Sequence, residues 1–413
     1  MIRDETTGGR APSTMMDKPP PAAKNLARKP TERRHASRLP SLTGLRIAAA
    51  LLVFFNHVGL PLPHLRFLES DAAAFRLFDM TGDAGSLGVV FFFVLSGFVL
   101  TWSARGDDTA RRFWRRRFVK VYPNYAITWA LAMVLVASAY TPAGTALANL
   151  FMVHVWVPEF AVFSSVNEPS WSLGCEVLFY ASFPLLHNLF KRIRAGHLKY
   201  WIAGTAAAVM ATPLVTHLFV PDRPLFPGAA LGAPISAEQY WFAYYMPATR
   251  MLDFALGMLV AQAVLRGRWF NIGMAWSALL LVGSYVACTF VPFLYAQRSM
   301  TIVPIIFLIA AAASSDIKGK SRFWSSRPMV WLGEISFAFY LIHFIVLTFL
   351  RKQLDGFFSV WETAGIVTLA LGVTVLLSWA LYALVERPIT RRWSTSPGER
   401  RERDQDRLPA AAV

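Results

Sequence analysis

Apolar stretches of helical length recur at about 43–62, 86–103, 121–140, 170–190, 199–219, 246–265, 271–291, 300–314, 329–350 and 361–385, with polar connections between them. Each is near the roughly 20 residues that a helix needs to cross a bilayer, 300–314 being the shortest. The pattern predicts an all-α integral membrane protein of about ten transmembrane helices. A further apolar stretch, Asn149–Trp156, is too short to cross and reads as a surface or re-entrant helix. No internal repeat runs through the series, which disfavours an inverted-repeat transporter.

Composition agrees with this pattern. The 413 residues are 55% hydrophobic and 16% charged, too little charge for a soluble surface. The net charge of +16 would suit nucleic acid, but the cations sit in short connections, so no nucleic-acid partner is expected. "RGDDTARRFWRRRFVK", "KRIRAGHLK", "RGR", "DIKGKSRFWSSR" and "ERPITRR" follow the second, fourth, sixth, eighth and tenth spans. The alternate connections at 141–169 and 220–245 are almost free of Lys and Arg. This bias places both termini in the cytoplasm. Residues 1–40 read as a disordered basic cytoplasmic tail without a cleavable signal peptide, 41–390 as the membrane domain and 391–413 as a second disordered tail. Cys175 and Cys288 lie in apolar segments and read as small hydrophobes; no metal-site spacing is present.

Ionisable groups at membrane depth are costly and point to function. Arg46 and His57 lie on one face of the first span, eleven residues and roughly 16 Å apart, too far to pair. Their bland readings are a snorkelling interfacial arginine and a structural histidine. The fourth span opens "NEPSWSLGCEVLFY", with Trp171, Glu176 and Tyr180 in helical reach of one another. An aromatic belt with one hydrogen bond is the plain reading; a carboxylate orienting His57 is the sharper one. Arg250 and Asp253 open the sixth span at i, i+3 and can pair with each other. Ser336, Tyr340 and His343 form one polar stripe on the ninth span, which faces protein or a cavity. "RRFWRRRFVKVYP" before the third span suits either positive-inside topology or a phosphate site. "VERPITRR" reads as a cytoplasmic stop with no chemistry.

Taken in order, "LTGLRIAAALLVFFNH", "GVVFFFVLSGFVLTW", "RRRFVKVYPNY", "WSLGCEVLFY", "RMLDFALGMLVA" and "LGEISFAFYLIH" resemble the acyltransferase-3 family of bacterial integral membrane O-acyltransferases, from about Ser41 to Pro388. The resemblance implies a ten-helix, multi-pass protein of the bacterial inner membrane. Such a protein moves an acyl group, often acetyl, from cytoplasmic acyl-CoA to a hydroxyl of a sugar, a cell-envelope glycan or a lipid-linked intermediate. By position, His57 matches the family's catalytic histidine and Arg46 its essential arginine, while Arg117 and Lys120 match a basic pair that is more often two arginines. Thr43 stands where the family often has aspartate and Ile47 where it often has glycine. Only a short tail follows the tenth span, so no appended periplasmic hydrolase-like domain is expected.

The expected mechanism is direct transfer. Arg46, Arg116, Arg117 and Lys120 take the phosphates of acyl-CoA, a co-substrate and not a bound cofactor. His57 removes the acceptor proton and Glu176 orients it. Trp171, Tyr180, Arg250, Ser336, Tyr340 and His343 line the acceptor side or stabilise the oxyanion. A covalent acyl-histidine is chemically allowed as well. The competing class is a transporter that uses the same buried groups as a relay.

Overall fold

A computed structural model describes residues 39–104, 108–226 and 235–393. The sequence reading of 1–38 and 394–413 as tails lies outside the described residues. The described residues are helical, without strands beyond two isolated bridges. The principal helices are α1 (Pro40–Gly59), α2 (Asp71–Thr81), α3 (Ala84–Trp102), α4 (Ala110–Ala132), α5 (Ala143–Leu150), α6 (Trp171–Lys191), α7 (Leu198–Phe219), α8 (Pro247–Leu265), α9 (Met274–Ala287), α10 (Ile302–Ile317), α11 (Arg327–Gln353), α12 (Val360–Leu381) and α13 (Arg387–Trp393). The first helix starts at Pro40, where a proline fits because the first-turn N–H has no intrahelical partner. The last reaches Trp393, so the tail expected from 391 is still helical at its start.

Eight helical stretches among the described residues are long and apolar enough to cross a membrane. The seventh and eighth expected spans fall short: Met274–Phe290 ends in a 3₁₀ turn, and α10 begins only at Ile302. At 1.5 Å per residue, 16 helical residues reach about 24 Å, less than the roughly 30 Å of a hydrocarbon core. Asn149–Trp156, read as a surface or re-entrant helix, comprises the end of α5 and a 3₁₀ turn at His154–Trp156.

A central group of α1, α3, α8 and α11 carries the core. The stretch containing α3 is 83% buried, whereas those containing α4 and α12 are only 22% buried and turn apolar side chains such as Leu369 and Leu376 outward. With no hydrophobic drive between helices in lipid, close approach comes from small residues. A Cβ on Gly97 of α3 would run into the Phe254 carbonyl of α8, and one on Gly257 into the Val94 carbonyl, so each helix carries a glycine where its partner's backbone passes.

Three polar ties place the parts that matter below. Ser41 donates its backbone N–H (2.9 Å) and hydroxyl (2.5 Å) to Asp316, which sets a carboxylate at the positive end of α1. Asn56 donates to the carbonyls of Thr81 (3.2 Å) and Gly82 (2.7 Å), which pins the α2–α3 corner beside His57. Asn167 donates to the Leu341 carbonyl (2.9 Å) and Tyr340 to the Pro169 carbonyl (3.0 Å), which fastens the loop before α6 onto α11.

Candidate active site

His57 sits two residues before the last residue of α1, Gly59, and is 7% exposed. Its Nδ1 lies 2.9 Å from the Val53 carbonyl and 3.1 Å from Nε2 of His343 on α11. His343 in turn places Nδ1 3.2 Å from the Phe339 carbonyl. A carbonyl only accepts, so Nδ1 carries the proton on each ring. Nε2 of His343 is then an acceptor for the His57 Nδ1–H, and the lone pair of His57 is left on Nε2. This is the tautomer a general base needs. The Phe344 ring meets the His57 imidazole edge-on at 5.1 Å and limits its rotation.

His57 opens onto a cavity of about 1340 Å³. Val53, Val89, Trp171 and Tyr340 line it beside His57, and its wall also carries Phe160, Phe226, Tyr240, Tyr244 and Tyr245. Residues Trp241–Tyr245 form a π-helical turn, a departure often found at functional sites. Val166, also in the lining, has φ of 60°, a left-handed conformation that a β-branched residue rarely adopts. Burial holds the imidazole of His64, in the loop after α1, below its usual value.

The structure separates the residues expected to act together. Trp171 and Tyr340 line the cavity with His57, and Tyr340 is also 2.9 Å from the Ser172 hydroxyl. Ser336 is buried and donates to the Gly333 carbonyl of its own helix at 2.8 Å. Arg250 lies behind the wall, fully buried, with its guanidinium 4.6 Å from the Tyr244 ring centre and 5.6 Å from that of Trp171. Its charge is met by Asp253 at 3.0 Å, which also pairs with Arg298 at 3.0 Å. Arg250 is thus shut off from the cavity by aromatic rings.

Glu176 and Tyr180 lie away from His57. They are five and nine residues beyond Trp171 on α6, about 7 and 13 Å deeper along the helix axis. Tyr180 donates to Glu176 at 2.7 Å, and Arg46, Arg117 and Lys120 lie within electrostatic reach of that carboxylate. The side chain in hydrogen-bond contact with His57 is His343, whereas Glu176 is bonded to Tyr180, and neither of these two lines the cavity. Trp114 of α4 donates to the Tyr180 carbonyl at 2.9 Å, which brings the α4 cations beside α6. Arg116 is held by Asp108, with one contact at 3.0 Å, so its fork is already occupied.

Two carboxylates escaped the sequence reading. Glu386, inside the supposed stop signal, is buried, accepts from Asn124 at 2.8 Å and lies within reach of Lys120 and Arg46. Its signal was a lone acid among arginines. Glu168 lines the cavity from the turn before α6 and carried no helical register to mark it.

The chain matches the family model described as an acyltransferase domain over residues 39–383. Acyltransferase MdmB of Streptomyces mycarofaciens is 38% identical over 367 residues, covering 86% of this chain and 92% of that protein. Peptidoglycan O-acetyltransferase OatA of Listeria monocytogenes is 24% identical over 404 residues, covering 88% of this chain and 57% of that protein, so the chain spans little more than half of OatA. Exopolysaccharide production protein ExoZ of Rhizobium meliloti is 27% identical over 331 residues, covering 75% of this chain and 90% of that protein. No solved structure matches the chain.

Proposed function

The chain belongs to the acyltransferase-3 family and is a multi-pass membrane acyltransferase, and we propose that it moves an acyl group, acetyl in the first instance, from acyl-CoA to a hydroxyl of a sugar or cell-envelope glycan across the bacterial inner membrane. The observation that carries this reading is the His57–His343 pair at the edge of a cavity large enough for several sugar rings. The names of OatA and ExoZ, a peptidoglycan O-acetyltransferase and an exopolysaccharide production protein, support a glycan acceptor.

Arg46, Arg117 and Lys120 receive the donor's phosphates at the cytoplasmic end. Glu176 and Glu386 hold these cations apart and in place, since a bare cation cluster would repel itself. The donor's flexible arm then runs along α3, where Phe92 and Ser96, one turn apart, stay only half-buried on a helix that is otherwise mostly buried. At the top, Nε2 of His57 takes the proton from the acceptor hydroxyl as its oxygen attacks the thioester carbonyl. The tetrahedral intermediate collapses with loss of the CoA thiolate. The imidazolium returns its proton to that sulfur, so the products are the acyl ester and free CoA. His343 accepts from the His57 Nδ1–H throughout and keeps Nε2 basic and aimed.

Envelope glycans from cells with and without the gene, compared by mass spectrometry, test this reading. A missing acyl increment in the deletion strain is expected. Identical glycans, together with no CoA release by purified protein supplied with acetyl-CoA and an envelope extract, would contradict it.

A further inference from the structure

We propose that the cavity holds a cation-accepting subsite built from Glu168 and the aromatic faces of Phe226, Tyr240 and Tyr245, and that the acceptor is therefore an amine-bearing sugar or oligosaccharide. The subsite stands on geometry alone; its use for an acceptor rests on the acyl-transfer reading.

Glu168 is half-buried in the cavity lining, and its carboxylate has no hydrogen-bond or ion-pair partner among the described residues. The stretch 227–234, next to Phe226 in the chain, contains no Lys, Arg or His. A carboxyl partly withdrawn from water without a counter-charge either keeps its proton or takes a cationic or strongly donating ligand, and a ligand amine supplies the second. Its position is built and not incidental. The neighbours on either side are fixed to α11, Asn167 through the Leu341 carbonyl at 2.9 Å and Pro169 through the Tyr340 hydroxyl at 3.0 Å.

The aromatic surroundings fit a cation. Phe226 packs on Tyr240 at 5.2 Å, and Tyr240 meets Tyr245 edge-on at 5.1 Å, with Glu168 within electrostatic reach of both tyrosines. Tyr240 also stacks on Tyr244 at 5.4 Å, and the ring surface left on Phe226, Tyr240 and Tyr245 lines the same cavity as Glu168; carboxylates and aromatic rings are the groups that bind ammonium. Tyr244 and Trp171 already give a face to Arg250 behind the wall, so they add little to a ligand cation.

Charge in the cavity points the same way. Although the chain carries +16 overall, Asp79, Asp83 and Asp355 join Glu168 in the lining. Arg351 and Lys352 line it too, donating to the Leu354 (2.6 Å) and Leu135 (3.2 Å) carbonyls, and with both counted the four carboxylates remain in excess. An amine on the acceptor supplies the missing partner.

The test uses the full chain in nanodiscs of zwitterionic lipid, without acyl donor. Calorimetric titration at mildly alkaline pH compares a β-1,4-linked tetramer of N-trimethylglucosamine, whose charge is permanent, with the fully N-acetylated tetramer of the same ring count. Wild-type protein should bind the cationic tetramer about tenfold more tightly, and Glu168→Gln should bind the two alike. In wild-type protein alone, added salt should narrow the preference. Equal binding of the two tetramers, binding of neither, a preference that salt leaves unchanged, or a preference that survives Glu168→Gln overturns the proposal. Neither donor nor His57 takes part in this titration. Loss of acyl transfer with the cation preference intact would therefore sink the acyl-transfer reading and leave the subsite standing.

Discussion

His343 Nε2 stands 3.1 Å from His57 Nδ1, across an interface between α1 and α11 that joins residues 286 positions apart. With both Nδ1 atoms facing backbone carbonyls, this contact sets the order of protons on the two rings and leaves one lone pair free. In the proposed transfer a neutral imidazole does what a carboxylate does in a serine triad for tautomer and aim, without putting a second buried charge beside the base.

His343→Phe should therefore lower kcat about tenfold, the worth of roughly one net hydrogen bond of ~1.4 kcal/mol. The KM for acyl-CoA should stay put, because His343 lies far from the cation cluster. His343→Gln, which keeps an acceptor, should recover part of the rate. Steady-state kinetics on the variants checks this. A raised donor KM with unchanged kcat would move His343 out of the role.

Lys120→Ala should raise the KM for acyl-CoA by about ten- to a hundredfold, as loss of one contact to a charged phosphate implies. Arg116→Ala should change it little, because Asp108 already holds that guanidinium. Titration of donor at fixed acceptor separates the two; equal effects of both variants would contradict the division of labour.

Acid should destabilise the fold through His154. Its ring is fully buried in the loop after α5, and burial pushes its pKa down from 6.5 to about 4. The unfolded chain takes up this proton first as pH falls. Stability that is complete above 6.5 should thus decline progressively toward pH 4. Thermal unfolding across that window should show a shallower decline in His154→Phe. Parallel curves for the two proteins would assign the acid sensitivity elsewhere.

Gly257→Leu should cost about 1–3 kcal/mol or prevent assembly, since the new side chain meets the Val94 carbonyl where α3 and α8 cross. Gly283→Leu, on a surface with nothing close to it, should be neutral. Unfolding midpoints in detergent compare the pair, and equal midpoints would show that the crossing is looser than the geometry implies.

What was legible in the sequence follows from range. Apolar length showed the helical series, and helical spacing put Arg46 and His57 on one face, because both depend on neighbours within a single helix. Arg250 and Asp253 pair at 3.0 Å for the same local reason. Long-range partners were hidden. Glu176 looked available for His57 until α6 set it deeper, beside Tyr180 and the cations, while His343 had no spacing that tied it to α1. Arg298 and Glu386 reach Asp253 and Lys120 only through packing, so Arg298 drew no reading and Glu386 read as part of a stop signal. Glu168 lies in a turn, where periodicity carries no information.

The most direct measurement is acyl transfer by His57→Ala, reconstituted in liposomes with labelled acetyl-CoA and an envelope-glycan acceptor. The account predicts an inserted, folded protein that releases no CoA above background and labels no acceptor. Transfer at the wild-type rate by this variant would contradict it.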